Sequence, residues 1–318
     1  MDRELPTIYV PTLTGGERLA SCLESLLAQT VTASVVVADN GEGEGCREMI
    51  DTRFPDVERI GFGENLGFGP ALNRAVESSG TGPVVLLNDD AVARPDFVEA
   101  LMAERGGEMT AAVLLSEREP SRIDSAGVIA DQTLMGFDYL SGESVSALDG
   151  AADPLGPTGG AALYERAAFE RVGGFDERIF LYYEDLDLAL RLRAAGGRCR
   201  LAASARATHG YSQTLGATTG DKYSMTGWSR GYLLRRYRVM ERPAALFPTL
   251  AREAAVCAGQ MVRDRTTAGL RGRIRGWRAA DGLPQLTPPV GDLTAMSVRE
   301  ALSRRRNRRD SAMVPGLP

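Results

Sequence analysis

The chain has 318 residues, 43% of them hydrophobic and 25% charged, which is ample for a large core in one large domain or two smaller ones. No apolar run approaches the roughly 18–20 residues that span a bilayer, and the opening Met1-Asp2-Arg3-Glu4-Leu5-Pro6 lacks a basic segment followed by an apolar one, so no secretory signal is read and a cytoplasmic protein is expected. The single histidine, His209, excludes a histidine-rich metal site and a catalytic histidine pair, and the scattered Cys22, Cys46, Cys199 and Cys257, with no CxxC spacing, read as reduced structural thiols.

Thr7-Ile8-Tyr9-Val10, stopped by Pro11, reads as a first strand and Gly15-Gly16 as a loop. From Arg18 to Gln29 the residues Leu19, Cys22, Leu23, Leu26 and Leu27 recur at helical spacing and predict an amphipathic helix. The run from Ser34 to Ala38 is a continuous apolar strand, as in a parallel sheet covered on both faces, and ends at the turn Asp39-Asn40-Gly41. A short strand at 59–62, a helix from Pro70 to Ser78 with proline in its first turn, a buried strand at 84–87 and a helix from Phe97 to Glu104 follow. Strands and helices alternating in this way predict βαβ units, hence an α/β fold with a mostly parallel sheet.

Residues 111–165 are less regular. Ala111 to Leu115 fits a strand, and 141–159, rich in Gly, Ser, Pro and Asp, reads as a long loop of the kind that covers a site. A strand-to-helix passage spans Ala161 to Arg171, Tyr183 to Ala195 is a strong helix, and Cys199 to Ala203 is a short strand before a loop, Thr208-His209-Gly210-Tyr211-Ser212. Beyond about residue 220 the strand pattern stops, and helices are expected from Tyr232 to Glu241, Ala244 to Arg263 and Leu270 to Ala280, with Pro248 kinking or delaying the second. Arg304-Arg305-Arg306-Asn307-Arg308-Arg309 is expected to fray. The organisation read from this is a domain at 1–218 and a basic, mainly helical region at 219–318.

Charge divides along the same line. Residues 219–318 hold 19 of the 37 Lys and Arg but 8 of the 42 Asp and Glu, a net +11; residues 1–218 carry the remaining 18 and 34, a net −16. An acidic body with a basic end signals contact with an anionic partner. Trp277 among Arg271, Arg273, Arg275 and Arg278 fits an interfacial helix on the inner face of a cell membrane, and packing as a homodimer interface is the alternative. The acidity of the body argues against nucleic acid.

In an open parallel sheet, ligands sit at the carboxyl ends of strands. Two such ends carry acids here: Asp39, and Asn88-Asp89-Asp90. Short carboxylates beside a strand end suit Mg²⁺ or Mn²⁺ and, through the ion, a diphosphate; alone, either segment is equally a polar turn. Tyr182-Tyr183-Glu184-Asp185-Leu186-Asp187 opens a helix, where acids are favoured by the macrodipole whatever their use. Asp185 is the candidate general base for deprotonating a hydroxyl nucleophile, with Glu184 beside it to bind the acceptor. Gly61-Phe62-Gly63-Glu64-Asn65-Leu66-Gly67 has the spacing GxGxxxG and does not follow the first strand, so it is not a dinucleotide fingerprint, and no GxxxxGK[ST] is present.

Taken in order, several segments resemble the family 2 glycosyltransferases of GT-A fold, above all the rhamnosyltransferase-like branch that builds bacterial polysaccharides and cell-wall linkers. They are Cys22-Leu23-Glu24-Ser25-Leu26 with Gln29, Val36-Val37-Ala38-Asp39-Asn40, Asn65-Leu66-Gly67-Phe68-Gly69 with Asn73, and Leu86-Leu87-Asn88-Asp89-Asp90. Ile123-Asp124-Ser125-Ala126-Gly127, Gly159-Gly160-Ala161-Ala162, Gly173-Gly174-Phe175-Asp176-Glu177, the stretch from Phe180 to Leu188, and His209 complete the set, over about residues 5–240.

The resemblance implies a metal-dependent, inverting transferase that moves a sugar from a dTDP- or UDP-sugar donor to a hydroxyl of a glycan, a lipid-linked glycan or a small molecule. It implies that Pro11, Thr12, Asp39, Asn65, Asn88 and Asp89 bind the nucleotide and donor, and that Asp90 and His209 hold the metal. Gly159 and Gly160 would pass close to donor sugar and acceptor, and Asp185 would be the base. Two other readings stand beside it. A sugar-phosphate nucleotidyltransferase would need a Gly-rich, Lys/Arg-bearing loop after the first strand, which Thr12 to Arg18 does not supply. A sugar-nucleotide-binding protein without catalysis draws on Asn88 at the first position of the acidic triplet and on Pro11-Thr12 where the family has Tyr-Asn.

Overall fold

The structure is a computed structural model, described for residues 4–210 and 219–294. The order of elements is β1 (Thr7–Thr12), α1 (Glu17–Leu27), β2 (Ser34–Asp39), α2 (Gly45–Arg53), β3 (Glu58–Gly61), α3 (Phe68–Ser78), β4 (Val84–Leu87), β5 (Ala91–Ala93), α4 (Phe97–Ala103) and β6 (Met109–Ser116). Then come β7 (Ile123–Ser125), β8 (Val128–Ala130), β9 (Gly136–Asp138), β10 (Ala161–Tyr164), α5 (Arg166–Arg171), α6 (Glu184–Ala194), β11 (Cys199–His209), α7 (Thr219–Arg236), α8 (Pro243–Arg263) and α9 (Ala268–Ala279).

Two compact units are present. The first draws its described residues from Met1–Val128, Asp138–Phe180 and Glu184–Ser212; the second from Ile129–Phe137, Leu181–Tyr183 and Gln213–Pro318. In the first unit the strands form one sheet in the order β3-β2-β1-β4-β10-β6-β11-β5, with β7 on β6. The pairs β3/β2, β2/β1, β1/β4 and β6/β11 are parallel, whereas β10 is antiparallel to both β4 and β6. β1, β2, β3, β4, β6 and β11 therefore share one direction and end at one edge. Alternate residues of β1 face opposite layers: Ile8 and Val10 pack with Leu19, Leu23 and Leu26 of α1, and Tyr9 packs with Leu72 and Val76 of α3 and Leu188 of α6.

Several expectations are corrected. β11 runs to His209, so the histidine ends a strand instead of riding on a loop; Tyr211 and Ser212, like Arg304 to Arg309, lie outside the described residues. α2 was not legible because it buries only Cys46 and Ile50, one pair four residues apart. α6 starts at Glu184, since Tyr182 and Tyr183 both have φ of 69°, a left-handed conformation that side-chain-bearing residues adopt at a cost of about 1 kcal/mol or more each. α7 starts well before Tyr232 and stops at Arg236. Its glycines disguise it: a Cβ at Gly227 or Gly231 would strike the α9 backbone at Gly269 or Arg273, and one at Gly272 or Gly276 would strike α7. α8 continues through Pro248.

The second unit is braced by buried ions. Arg230 is 1% exposed, donates to the carbonyls of Leu134 and Thr133 at 2.7 Å each, and donates to Glu253 at 2.7 Å. Arg273 donates to the other oxygen of Glu253 at 2.5 Å, and Arg252 pairs with Asp131. Burial opposes the charge on Glu253, but Arg230 and Arg273 overcome it and hold the carboxyl at about 2, below its ordinary 4.5. Both tryptophans, Trp228 and Trp277, stand on helices of this unit. Urea unfolding followed by their fluorescence should show Glu253→Gln destabilised by about 3–5 kcal/mol, because the buried Arg230 and the mostly buried Arg273 lose their shared anion. The unaltered protein's share of stability from Glu253 is full above pH 4.5 and is lost as pH falls through about 2.

Candidate active site

The shared edge where the same-direction strands end, all within the first unit, collects the predicted acids. The turn after β4 is closed by Ala91 N donating to Asn88 O at 3.1 Å. Thr12 at the end of β1 donates its hydroxyl to Asp89 Oδ2 at 2.6 Å. Burial raises Asp89 to about 6; the Thr12 hydrogen bond works against this, and the negative Asp90 adds to it.

Asp90 has a side chain only 2% exposed. One oxygen, Oδ1, stands 3.2 Å from His209 Nε2, and Arg18 Nη1 approaches Oδ2 at 3.9 Å. Asp90 Oδ2 and His209 Nε2 are both buried without a hydrogen-bond partner. The other ring nitrogen, Nδ1, lies 2.8 Å from Asp124 Oδ2. Burial disfavours a charged imidazole here, but Asp124 and Asp90 outweigh it and raise His209 to about 10. Among the described residues no group of three or more His, Cys, Asp or Glu is placed to hold a metal ion, so Asp90 and His209 alone do not complete a metal site. Asp90 Oδ2, buried without a partner beside the contact of Oδ1 with His209, leaves room for a cation, since buried polar groups otherwise find partners.

At the end of β2, Asp39 Oδ2 accepts from Arg59 Nη1 at 2.8 Å and Oδ1 accepts from Gly41 N at 3.2 Å. Asn40 Oδ1 accepts from Leu66 N at 2.8 Å, and its Nδ2 donates to Asn65 Oδ1 and Gly67 O at 3.1 Å each. Asn65 Oδ1 also accepts from Gly67 N at 3.0 Å, so Asn65 shapes the loop before α3. Gly67, at φ 94°, lets that loop meet Phe180, where a Cβ would come within 2.6 Å of the carbonyl oxygen. Pro11 is paired in register with Ala38 beside this loop.

Asp185 lies in the first turn of α6. Its Oδ2 accepts from Gly159 N at 3.1 Å and its Oδ1 from Leu186 N at 2.7 Å, which fixes the carboxylate plane. The next residue, Gly160, accepts from Asn88 N at 3.0 Å, and a Cβ there would sit 3.2 Å from the Asn88 side-chain nitrogen. Two consecutive glycines thus join Asp185 to the acidic turn. Glu184 is buried, with Oε2 unpartnered; burial and the adjacent Asp185 raise its carboxyl well above the ordinary carboxylate range.

Asp124, Arg59 and Arg18 touch this constellation but were not singled out from the sequence. Asp124 sits inside a segment that carries the family resemblance, Ile123 to Gly127, and only its pairing with the one histidine reveals its place. Arg59 sits one register position from Ile60 on an edge strand, and nothing in its local spacing marks it.

Comparison with known proteins fits this geometry. The profile of Glycosyl transferase family 2 matches residues 7–173. The N-acetylglucosaminyl-diphospho-decaprenol L-rhamnosyltransferase of Mycobacterium tuberculosis is 31% identical over 241 residues, covering 67% of this chain and 78% of that one. The fold is shared with GalNAc-T7, solved with UDP, GalNAc and Mn²⁺, at TM-score 0.59 and 13% identity over 89% of this chain and 56% of that one. It is also shared with the mannosyltransferase PcManGT of Pyrobaculum calidifontis, solved with GDP-Man and Mn²⁺, at TM-score 0.52 and 16% identity over 98% and 81%. The chain belongs to glycosyl transferase family 2. It is a GT-A-fold glycosyltransferase that takes its sugar from a nucleotide donor.

Because His209 is the sole histidine, ring-proton NMR reads it without assignment. In metal-free protein its titration midpoint should stand far above 6.5, near about 10, and Asp124→Asn should lower it by about 1–3 pH units. The stability contributed by this proton is full below 6.5 and lost as pH rises through about 10. A midpoint near 6.5 in the unaltered protein would contradict the geometry.

Proposed function

We propose that the chain is an inverting L-rhamnosyltransferase, with a dTDP-sugar donor and a sugar-bearing, lipid-linked acceptor. The observation that carries the mechanism is the Gly159–Gly160 passage, which supports a single site holding Asp185 and the Asn88–Asp90 turn together. The donor and acceptor classes draw on the mycobacterial relative, whose name specifies L-rhamnose and N-acetylglucosaminyl-diphospho-decaprenol.

Asp39 and Arg59 would meet the nucleobase or ribose beside Pro11 and Thr12, with Asn65 holding the loop before α3. Thr12 orients Asp89 toward the donor. Asn88 and Gly160 border the sugar. Asp185, its plane set by two backbone N–H groups, accepts the proton of the acceptor hydroxyl as that oxygen attacks the anomeric carbon. The nucleoside diphosphate leaves from the opposite face, so the configuration inverts. Glu184, whose charge is disfavoured by burial and by the adjacent Asp185, borders the acceptor beside it. A divalent cation, Mg²⁺ or Mn²⁺, fits Asp90 and His209 with phosphate oxygens of the donor as further ligands, and would offset the charge that builds on the leaving diphosphate. Asp124, bonded to His209 Nδ1, fixes the ring so that Nε2 faces Asp90.

With dTDP-L-rhamnose and an N-acetylglucosaminyl-diphospho-lipid, the product beside the new glycoside should be nucleoside diphosphate; pyrophosphate would indicate nucleotidyl transfer instead. Asp185→Asn should cut turnover by about 10²–10⁴-fold with donor binding nearly unchanged, and full activity in that variant overturns its assignment. Glu184→Gln, an imitation of the neutral acid, should keep most activity and flatten the loss of stability that the unaltered protein shows as pH climbs above 4.5. Asp90→Ala should weaken nucleotide binding and the response to Mn²⁺ together.

A further inference from the structure

α8 is built inside out. Between Phe247 and Val262 every exposed residue is Leu, Ala, Gly or Met. Phe247 is 76% exposed and Val262 82%. The polar side chains between Phe247 and Val262 turn inward: Thr249, Arg252 and Gln260 are buried, and Glu253 holds Arg230 and Arg273. Successive positions at 100° per residue place the exposed residues on one side, so the strip runs for about 24 Å. A soluble surface helix shows the opposite arrangement.

The surroundings of the strip are cationic. The chain leaves α8 through Arg263 and Arg265, and α9 exposes Leu270 and Ile274 beside Arg271, Arg275 and Arg278. Neither the exposed strip nor α9 contains an acidic residue. Residues 219–294 hold thirteen Lys and Arg against six Asp and Glu. A second copy docked here by a two-fold axis would set one arginine row against its own image with no carboxylate between them. An anionic lipid surface meets both features, because acyl chains take the apolar strip and headgroup phosphates take the guanidinium groups. Trp277, expected from the sequence to lie at such an interface, is partly exposed, with Arg235 5.2 Å above its ring. Among the described residues no helix is long and apolar enough to cross a membrane, so the strip would lie in the interface plane.

We propose that the outward strip of α8 is a bilayer-docking surface, with Phe247 and Val262 inserted below the headgroups and the arginines of α9 on lipid phosphates. The inference rests on the lipid-linked acceptor proposed above and names the surface that brings the enzyme to it.

The test is flotation of the full chain with phosphatidylcholine vesicles, with and without phosphatidylglycerol. The unaltered protein should float with the anionic vesicles, more weakly as salt rises. Phe247→Glu with Val262→Glu should reduce that binding by about tenfold or more, while thermal stabilisation by dTDP and Mn²⁺ stays unchanged, which shows the variant is folded. No flotation of the unaltered chain, or equal flotation of the double variant, overturns the proposal. So does an unaltered chain that sediments as a dimer which the double variant converts to monomer, since the strip would then be a subunit interface. Flotation needs neither donor nor turnover: a chain that floats but does not transfer rhamnose sinks the donor or acceptor reading alone, and one that glycosylates a detergent-solubilised acceptor without floating sinks the docking surface alone.

Discussion

The site depends on a backbone passage. Asp185 and the acidic turn after β4 lie nearly a hundred residues apart in sequence, and Gly159 and Gly160 tie them together through one hydrogen bond to each. The tie exists because β10 enters the sheet against its neighbours. A strand running opposite to β4 begins where β4 ends, and the register sets Ala161 against Leu87. The two residues before β10 therefore arrive at the carboxyl edge, where parallel strands deliver their ligands. Side chains would crowd this approach: a Cβ on Gly160 would sit 3.0 Å from Leu114, and one on Gly159 would sit 3.2 Å from Phe68. Glycine eases this close approach without any unusual dihedral.

Charge is distributed over the site by burial and pairing. Asp89, Asp90, Asp124, Glu184 and Asp185 all belong to one unit, and a diphosphate brought among them meets repulsion unless cations intervene. Burial pushes both Glu184 and Asp89 toward their neutral forms. His209 is drawn between Asp90 and Asp124, and Arg18 stands at the rim. Asp185 is held by backbone donors, and Asp90 keeps one buried oxygen without a partner. That division favours a base on one side and a cation site on the other.

Much of this could be read from the amino-acid order. The apolar runs at 34–38 and 84–87 are buried strands, and the acids placed after them fall at one edge, because period and turn chemistry are local signals. What escaped had non-local causes. α2 has too few core contacts to show a period, and the first half of α7 is rich in glycines that serve its contact with α9. His209 reads as a loop residue because the register shift in β11 between Leu201 and Arg206 interrupts an otherwise continuous strand. Asp124 was in view within a matched segment, yet its partner lies 85 residues away. The helical second unit shows the same limit. Its basic composition is plain, but that α8 turns its charges inward follows only from the positions of Asp131, Arg230 and Arg273 around it.

The central claim is that one bound sugar touches both halves of the site. A crystal structure with a non-hydrolysable dTDP-sugar and Mn²⁺ tests it most directly. Density for the ion is expected beside Asp90 and His209, with the anomeric carbon facing the Asp185 carboxylate across room for one hydroxyl. A sugar-nucleotide bound at the edge with Asp185 turned away from the anomeric carbon would contradict it.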